Sequence, residues 1–155
     1  MCACLAYRAR ERLCAATLSV GLCARCALGQ VEDQVVMVEK LLGRPNAPTI
    51  EARALHRQST LARAAHAMQL LVSFQEAYQF LWPVLRNRTV RESLPDAIRQ
   101  FADVEDAWAF VYDWVAMKIP AMMVCDNQQI VERLAECNVN MEIILNQVVK
   151  SLTTR

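Results

Sequence analysis

Apolar residues recur at three- and four-residue steps along almost the whole chain. The first clear stretch holds Val31, Val35, Val38 and Leu42. Gly43 follows as a helix stop, with a proline just beyond. No run longer than four residues alternates apolar and polar side chains as a half-buried strand would. The pattern predicts an all-α protein, a single-domain bundle of five to six helices over residues 1–155.

The longest predicted helix follows a loop over residues 44–48. Thr49 can cap this helix, which runs from Ile50 to about Asn87. Pro83 lies inside it, and a proline removes one backbone donor and clashes with the preceding turn. We therefore predict that the helix is kinked near Pro83 or ends near Leu81.

Two shorter helices are predicted in the centre of the chain. Residues 87–93 have the composition of a loop, and Ser93 lies three residues before an acid, as in a capping box. A short helix over residues 94–102 would follow. Asp103 would cap a second helix, which runs to about Lys118. Pro120 then ends the helical pattern.

The last predicted helix is amphipathic, begins near Asp126 or Asn127 and runs to the C-terminus. Its most regular apolar positions are Ile130, Leu134, Cys137, Met141, Ile144 and Val148. These positions alternate four- and three-residue steps, which makes a heptad seam. Four further residues widen the seam: Val131, Leu145, Val149 and Leu152. A wide apolar face is typical of a core helix in a bundle.

Residues 1–29 are rich in arginine and cysteine. They hold five of the seven cysteines and four arginines against one acid. Such a segment fits a secretory signal peptide, an Arg-rich organelle targeting segment or an N-terminal helix of the mature fold. We expect residues 1–29 to be a retained helix docked on the fold, and an uncleaved organelle signal remains compatible with that expectation.

Charge gives little attraction to nucleic acid. The chain has 17 basic and 16 acidic residues, which leaves a net charge of +1. We therefore expect no nucleic-acid partner.

The strongest candidate for a membrane span is residues 64–85. It carries a polar stripe on one helical face, formed by His66, Gln69, Ser73 and Glu76. This stripe predicts an amphipathic helix of a packed bundle rather than a membrane span. Residues 1–29 remain a segment that can contact a membrane.

Residues that could carry chemistry are sparse. His56 and His66 are ten positions apart on one predicted helix, so they lie about 15 Å apart and cannot share a small site. The chain has three glycines, too few for a phosphate-binding loop. Three acids fall on one helical face, Asp103, Asp106 and Asp113. We interpret them as a solvated edge, because di-iron bundles need Glu-x-x-His motifs that are missing here.

Cys23 and Cys26 have the C-x-x-C spacing of redox and zinc sites. A zinc site needs a second ligand pair, and no histidine occurs in the first 55 residues. Inert thiols are the favoured interpretation, with a disulfide, a metal ligand or a lipidated cysteine as alternatives. We predict no catalytic residue, no cofactor and no metal site.

Aromatic residues concentrate in the middle of the chain. Nine of the ten lie between Phe74 and Trp114. Trp108 and Trp114 are six positions apart, so they point to sides of a helix about 120° apart. We predict that one fills the core and that the other, Trp114, anchors a partner, with burial of both in the core as the alternative. The candidate interface residues are Phe110, Trp114, Met117, Met122 and Met123.

These features predict a non-catalytic structural or accessory subunit of a multi-protein complex. The Arg-rich N-terminus favours a mitochondrial inner-membrane complex of the respiratory or ATP synthase type, with other protein subunits as partners. The alternative is a soluble, cytoplasmic helical adaptor or regulator that binds a partner helix in a groove. A third hypothesis is a small thiol or metal enzyme that uses Cys23 and Cys26.

Overall fold

Helices account for nearly all of the described chain. The computed structural model describes residues 25–44, 48–116 and 121–153, without the side chains of residues 114–116 and 121–122. Its helices are α1 over residues 25–42, α2 Pro48–Leu85, α3 Arg88–Ser93, α4 Pro95–Ala116, α5 Ala121–Cys125 and α6 Gln128–Thr153. No strand occurs in these ranges, so the prediction of an all-α bundle with five to six helices is confirmed.

The four longer helices, α1, α2, α4 and α6, alternate in direction. The short helices α3 and α5 lie between them in the sequence. Arg25 of α1 pairs with Glu76 far along α2, so α1 and α2 are antiparallel. Trp108 stacks on Phe74 and Phe101 stacks on Tyr78, so α4 also runs against α2. The Nδ2 atom of Asn138 donates to the carbonyl oxygen of Leu70 at 2.8 Å and ties α6 to α2.

The core is formed where α2, α4 and α6 meet. Its large buried side chains are Phe74, Tyr78, Leu81, Phe101, Trp108, Leu134, Met141 and Ile144. Three aromatic rings lie in contact at its centre, with centroid distances of 4.6 Å from Phe74 to Trp108 and 5.8 Å from Phe74 to Tyr78. The concentration of aromatics in the middle of the chain therefore supplies the interior of the bundle.

The heptad seam of α6 is confirmed in full. The buried residues of α6 are Ile130, Leu134, Cys137, Met141, Ile144 and Val148. Of the four residues predicted to widen the seam, Val131 and Leu145 are half-buried, while Val149 and Leu152 are exposed in the last turns of the helix. The predicted start is also confirmed, because Asn127 Oδ1 accepts a hydrogen bond from the backbone N–H of Gln129 at 3.1 Å.

Helix α2 differs from its predicted bounds at both ends. It begins at Pro48, so Thr49 lies inside the first turn and is not the cap. It continues through Pro83 to Leu85, so the predicted end near Leu81 is wrong. Leu81 and Leu85 are both buried in the core, and this burial on either side of the proline offsets the lost backbone hydrogen bond. The kink at Pro83 stays a prediction.

The loop predicted over residues 87–93 is largely helical. Asn87 Oδ1 accepts from the backbone N–H of Thr89 at 3.0 Å and caps α3. The hydroxyl of Ser93 donates to the carbonyl oxygen of Thr89 at 2.7 Å, within the last turn of α3. Hydrogen bonds between side chains and the nearby backbone thus stabilise the short helix α3, which the apolar pattern does not predict.

Helix α4 is continuous where two helices were predicted. The break at Asp103 is wrong, because the apolar stripe passes straight through it: Phe101, Val104 and Trp108 are all buried on the same side. Asp103 is exposed and lies inside the helix. Helix α1 runs without interruption through Gly29. Residues 1–24 lie outside the described chain, and the docking of residues 1–29 remains a prediction.

Candidate protein interaction site

The predicted interface residues are only partly described. Phe110 on α4 is 38% exposed and Met123 on α5 is 64% exposed, and these two helices are in contact. The side chains of Trp114 and Met122, together with residue Met117, lie outside the described part of the structure. The interface built on these five residues therefore stays a prediction.

Phe110 makes a contact within the chain, with a residue of α6. The guanidinium of Arg133 on α6 lies over the Phe110 ring, 5.6 Å from its centroid. A cation over an aromatic face is attracted by the ring quadrupole, so this contact helps to hold α6 against α4. A partner at Phe110 would meet an arginine as well as an aromatic ring.

Trp108 is a core residue. It is buried and stacks on Phe74. This placement agrees with the assignment of Trp108 to the core, and the assignment of Trp114 to an interface remains open to experiment.

A buried carboxyl group lies in the core, and the sequence analysis did not single it out. Glu105 is buried, and the hydroxyl of Tyr78 donates to its Oε1 at 3.1 Å. By contrast Asp103, Asp106 and Asp113 are exposed, as expected for a solvated edge. The spacing indicates this burial, because Glu105 is four residues after Phe101 and three before Trp108 and so shares their helical face. We read the Tyr78–Glu105 pair as a polar tie between α2 and α4.

The residues that could carry metal or thiol chemistry are only partly described. Within those ranges no three His, Cys, Asp or Glu side chains come close enough to hold a metal ion. Cys26 is exposed, but Cys23 lies outside the described chain, so the C-x-x-C pair is not described as a unit.

A wide cleft lies between α1 and the start of α2. Its volume is about 850 Å³. Its lining residues are Val38, Leu41, Ile50, Ala52, Arg53, Ala54, His56, Arg57, Thr60 and Leu61. The walls are mainly apolar and the polar side chains are basic or neutral. This composition resembles that of grooves that receive a helix.

The cleft exists because α2 is longer than its neighbours. With 38 residues α2 is about 57 Å long, against about 33 Å for α4 and about 39 Å for α6. All buried residues of α2 lie between Ala64 and Leu85. Asp126, just before α6, pairs with Arg63 at 2.9 Å, so α6 begins beside that point. Residues 48–62 therefore extend past the core, and we call them the α2 overhang.

Exposed apolar side chains surround the overhang. Those on α1 and the overhang are Val36, Met37, Leu41, Ile50 and Leu55. Monomeric proteins rarely leave a large contiguous apolar patch exposed unless it serves binding. The sequence analysis missed this surface, because it treated residues 50–61 only as the first part of one long helix. Only the lengths of α4 and α6 show that these two helices do not cover it.

Gln75 is an unsatisfied polar group in the interior. Its side chain is 2% exposed, and neither its amide nitrogen nor its amide oxygen has a hydrogen-bond partner. Burial of an unpaired amide costs about 1–3 kcal/mol. We expect Gln75→Met to raise the free energy of unfolding by about 1 kcal/mol. Urea denaturation followed by circular dichroism measures the change, and Gln79→Met at an exposed site of the same helix should leave it within about 0.5 kcal/mol. A destabilised Gln75→Met protein would show that the amide has a partner in solution.

The thiol of Cys137 is protected from reaction. Burial raises its pKa to about 11, and Glu136 adds to the rise while Arg133 opposes it. Burial also raises the pKa of Cys125, with a smaller contribution from Asp126. At pH 8 we expect iodoacetamide to alkylate Cys137 at least about a hundredfold more slowly in the folded chain than in urea, because only the thiolate reacts. Peptide mapping by mass spectrometry gives the rates, and exposed Cys26 serves as the control. Equal rates for Cys137 in both states would contradict its burial.

Comparison with known proteins gives one family. The family described as "Dynein heavy chain, N-terminal region 2" matches residues 22–155. Dynein axonemal heavy chain 1 from Mus musculus is 18% identical over 125 residues, which cover 81% of this chain and 3% of the mouse protein. This chain thus spans a small fraction of the length of that relative. No solved structure matches significantly.

The family match corrects the predicted setting. A subunit of a respiratory or ATP synthase complex, located at the mitochondrial inner membrane, is wrong, because the match over residues 22–155 is to a heavy chain of dynein. None of the helices in the described ranges has the length and apolar character needed to cross a bilayer. The polar stripe of α2 predicted from the sequence is exposed throughout, at His66, Gln69, Ser73 and Glu76.

Proposed function

Because the chain belongs to the dynein heavy chain N-terminal region 2 family, we propose that it is a helical structural segment of a dynein-type heavy chain. In this role it acts through contacts with other protein segments and carries no catalytic step of its own. The observation that carries the proposal is the extent of the match, since residues 22–155 include every described helix.

The exposed surface supports a role in protein contacts. The cleft between α1 and the α2 overhang has the size and apolar walls of a site for a protein segment. This supports the hypothesis of a helical adaptor that binds a partner helix. Its setting in this proposal is the axoneme, which the name of the mouse relative gives for that protein, or the cytoplasm, which is the alternative setting predicted from the sequence. The partners are other polypeptides or segments of a larger assembly.

A second contact surface is proposed at the junction of α4 and α5. Phe110 and Met123 are both exposed there, and Trp114, Met117 and Met122 are their neighbours in sequence. Aromatic and methionine side chains are enriched in interfaces. In this proposal residues 1–155 form one helical unit that offers two faces to its assembly.

Cross-linking in native extract tests the proposed function. The chain has only three lysines, Lys40, Lys118 and Lys150, so an amine-reactive cross-linker reports on few positions. Lys40 lies on α1 near the cleft and Lys150 lies in the last turn of α6. We expect cross-links from these lysines to dynein polypeptides and elution at a mass far above 17.5 kDa. Recovery of the protein as a free monomer, with no such cross-link, would contradict the proposal.

A further inference from the structure

The buried face of α2 continues unbroken into the cleft. Its positions follow alternating steps of three and four residues: Ile50, Arg53, Arg57, Thr60, Ala64, Ala67, Leu71, Phe74, Tyr78, Leu81 and Leu85. From Ala64 onward this stripe packs in or beside the core. Its first four members line the cleft instead. The overhang therefore presents the face on which a helix packs elsewhere in this bundle, in a place where α4 and α6 do not cover it.

The charges of this surface are specific. Arg53 and Arg57 replace the apolar residues that the stripe carries in the core, and His56 lies beside them. Among the residues that the structure describes, no acidic side chain lines the cleft. Neither Arg53 nor Arg57 forms an ion pair with any residue in the described ranges, whereas Arg63 one turn further on pairs with Asp126. The guanidinium groups of Arg53 and Arg57 thus lie beside the apolar lining of the cleft without a counter-charge among the described residues.

We propose that the cleft binds an acidic amphipathic helix of another protein segment. The apolar face of that helix packs on Val38, Leu41 and Leu61, and its carboxylates pair with Arg53 and Arg57. The proposal deepens the proposed function and rests on it, because it names the chemistry of the partner that such a structural segment holds.

Charge argues against the other occupants. Residues 1–24 of this chain carry Arg8, Arg10 and Arg12 against a single acid, Glu11, so they would be repelled by the two arginines. A second copy docked cleft to cleft would bring the same four arginines together without a counter-charge. An acidic partner is the occupant that removes the unpaired positive charge.

The test measures binding of a designed peptide to the full chain. The probe is a fluorescein-labelled peptide of leucine, alanine and glutamate, about 16 residues long, which is roughly 24 Å of helix and matches the overhang. Its leucines are spaced by three and four residues, with glutamates on both flanks. The matched probe has lysine in place of every glutamate. Fluorescence anisotropy should show at least about tenfold tighter binding of the acidic peptide, weakening as salt rises.

Charge reversal identifies the site. The double variant Arg53→Glu/Arg57→Glu should weaken binding of the acidic peptide at least about tenfold and improve binding of the basic one. The control, Arg91→Glu/Arg99→Glu, makes the same change in net charge at exposed positions on α3 and α4 and should bind like the parent chain. Leu41→Ala should weaken binding several-fold by trimming the apolar wall. Circular dichroism verifies that each variant is folded.

Several results would overturn the proposal. One is equal binding of the two peptides, and another is equal loss of binding in both double variants. Refusal of the peptide together with a cross-link between Lys40 and the N-terminal amine would assign the cleft to residues 1–24. Self-association that the Arg53→Glu/Arg57→Glu variant changes would assign it to a second copy. A negative peptide result leaves the cross-links to dynein polypeptides unaffected, so the two proposals fail separately.

Discussion

Trp108→Ala is expected to unfold the chain or to lower its free energy of unfolding by about 3–5 kcal/mol. Trp108 is fully buried where α2, α4 and α6 meet, and its ring stacks on Phe74 with centroids 4.6 Å apart. The change loses the transfer free energy of a large apolar side chain. It also leaves a cavity that the surrounding helices cannot fill without moving. A small domain has a total stability of about 5–15 kcal/mol, so the loss is a large share of it.

Urea denaturation monitored by circular dichroism at the helix band measures the effect. Phe80→Ala is the matched control, because Phe80 is an aromatic residue of α2 with more than half of its surface exposed. That change should cost less than about 1 kcal/mol. Trp108→Phe should fall between the two, since it keeps a ring against Phe74. A Trp108→Ala protein as stable as the parent would mean that the core is packed differently.

Ile144→Asp and Ile143→Asp form a pair that tests the register of α6. Ile144 is 0% exposed and belongs to the buried seam, whereas Ile143 is 45% exposed on the adjacent side. A carboxylate at position 144 would be buried without a partner, a change that costs several kcal/mol, and we expect no folded protein at neutral pH. The same residue at position 143 stays in solvent and should shift stability by about 1 kcal/mol or less.

Helix content at pH 7 distinguishes the two variants directly. Ile143→Asp should retain the parent signal, and Ile144→Asp should lose it. Equal behaviour of the two proteins would show that α6 is rotated from the position described here. Both variants exchange one isoleucine for one aspartate, so their composition and net charge are the same.

The helical pattern predicted α6 well and α4 less well, and the difference has a physical cause. In α6 the seam is strictly apolar and Asn127 marks the start, so periodicity and capping agree. In α4 Asp103 resembles a helix cap, but it lies on the solvent side while Phe101 and Val104 are buried across it. A local capping signal was outweighed by continuous burial of one face, which depends on helices distant in sequence.

The candidate sites were harder to predict than the fold. The concentration of aromatic residues between Phe74 and Trp114 is visible in the sequence, but the cleft at the α2 overhang depends on where α4 and α6 end. Glu105 and Gln75 are polar residues at buried positions, and their burial is decided by neighbours on other helices. The mitochondrial setting rested on the composition of residues 1–29, which constrains location far less than a match across the chain does.

The overhang of α2 divides one continuous helix into two regions of unequal local stability. Opening of residues 48–62 breaks no contact of the main core, so their amide hydrogens should exchange with solvent through local fraying. Residues 70–85 open only when the whole bundle unfolds, and their exchange should report the global free energy. A bound partner would slow exchange in the first region alone. The same helix can therefore order itself on binding at one end while the other end holds the fold.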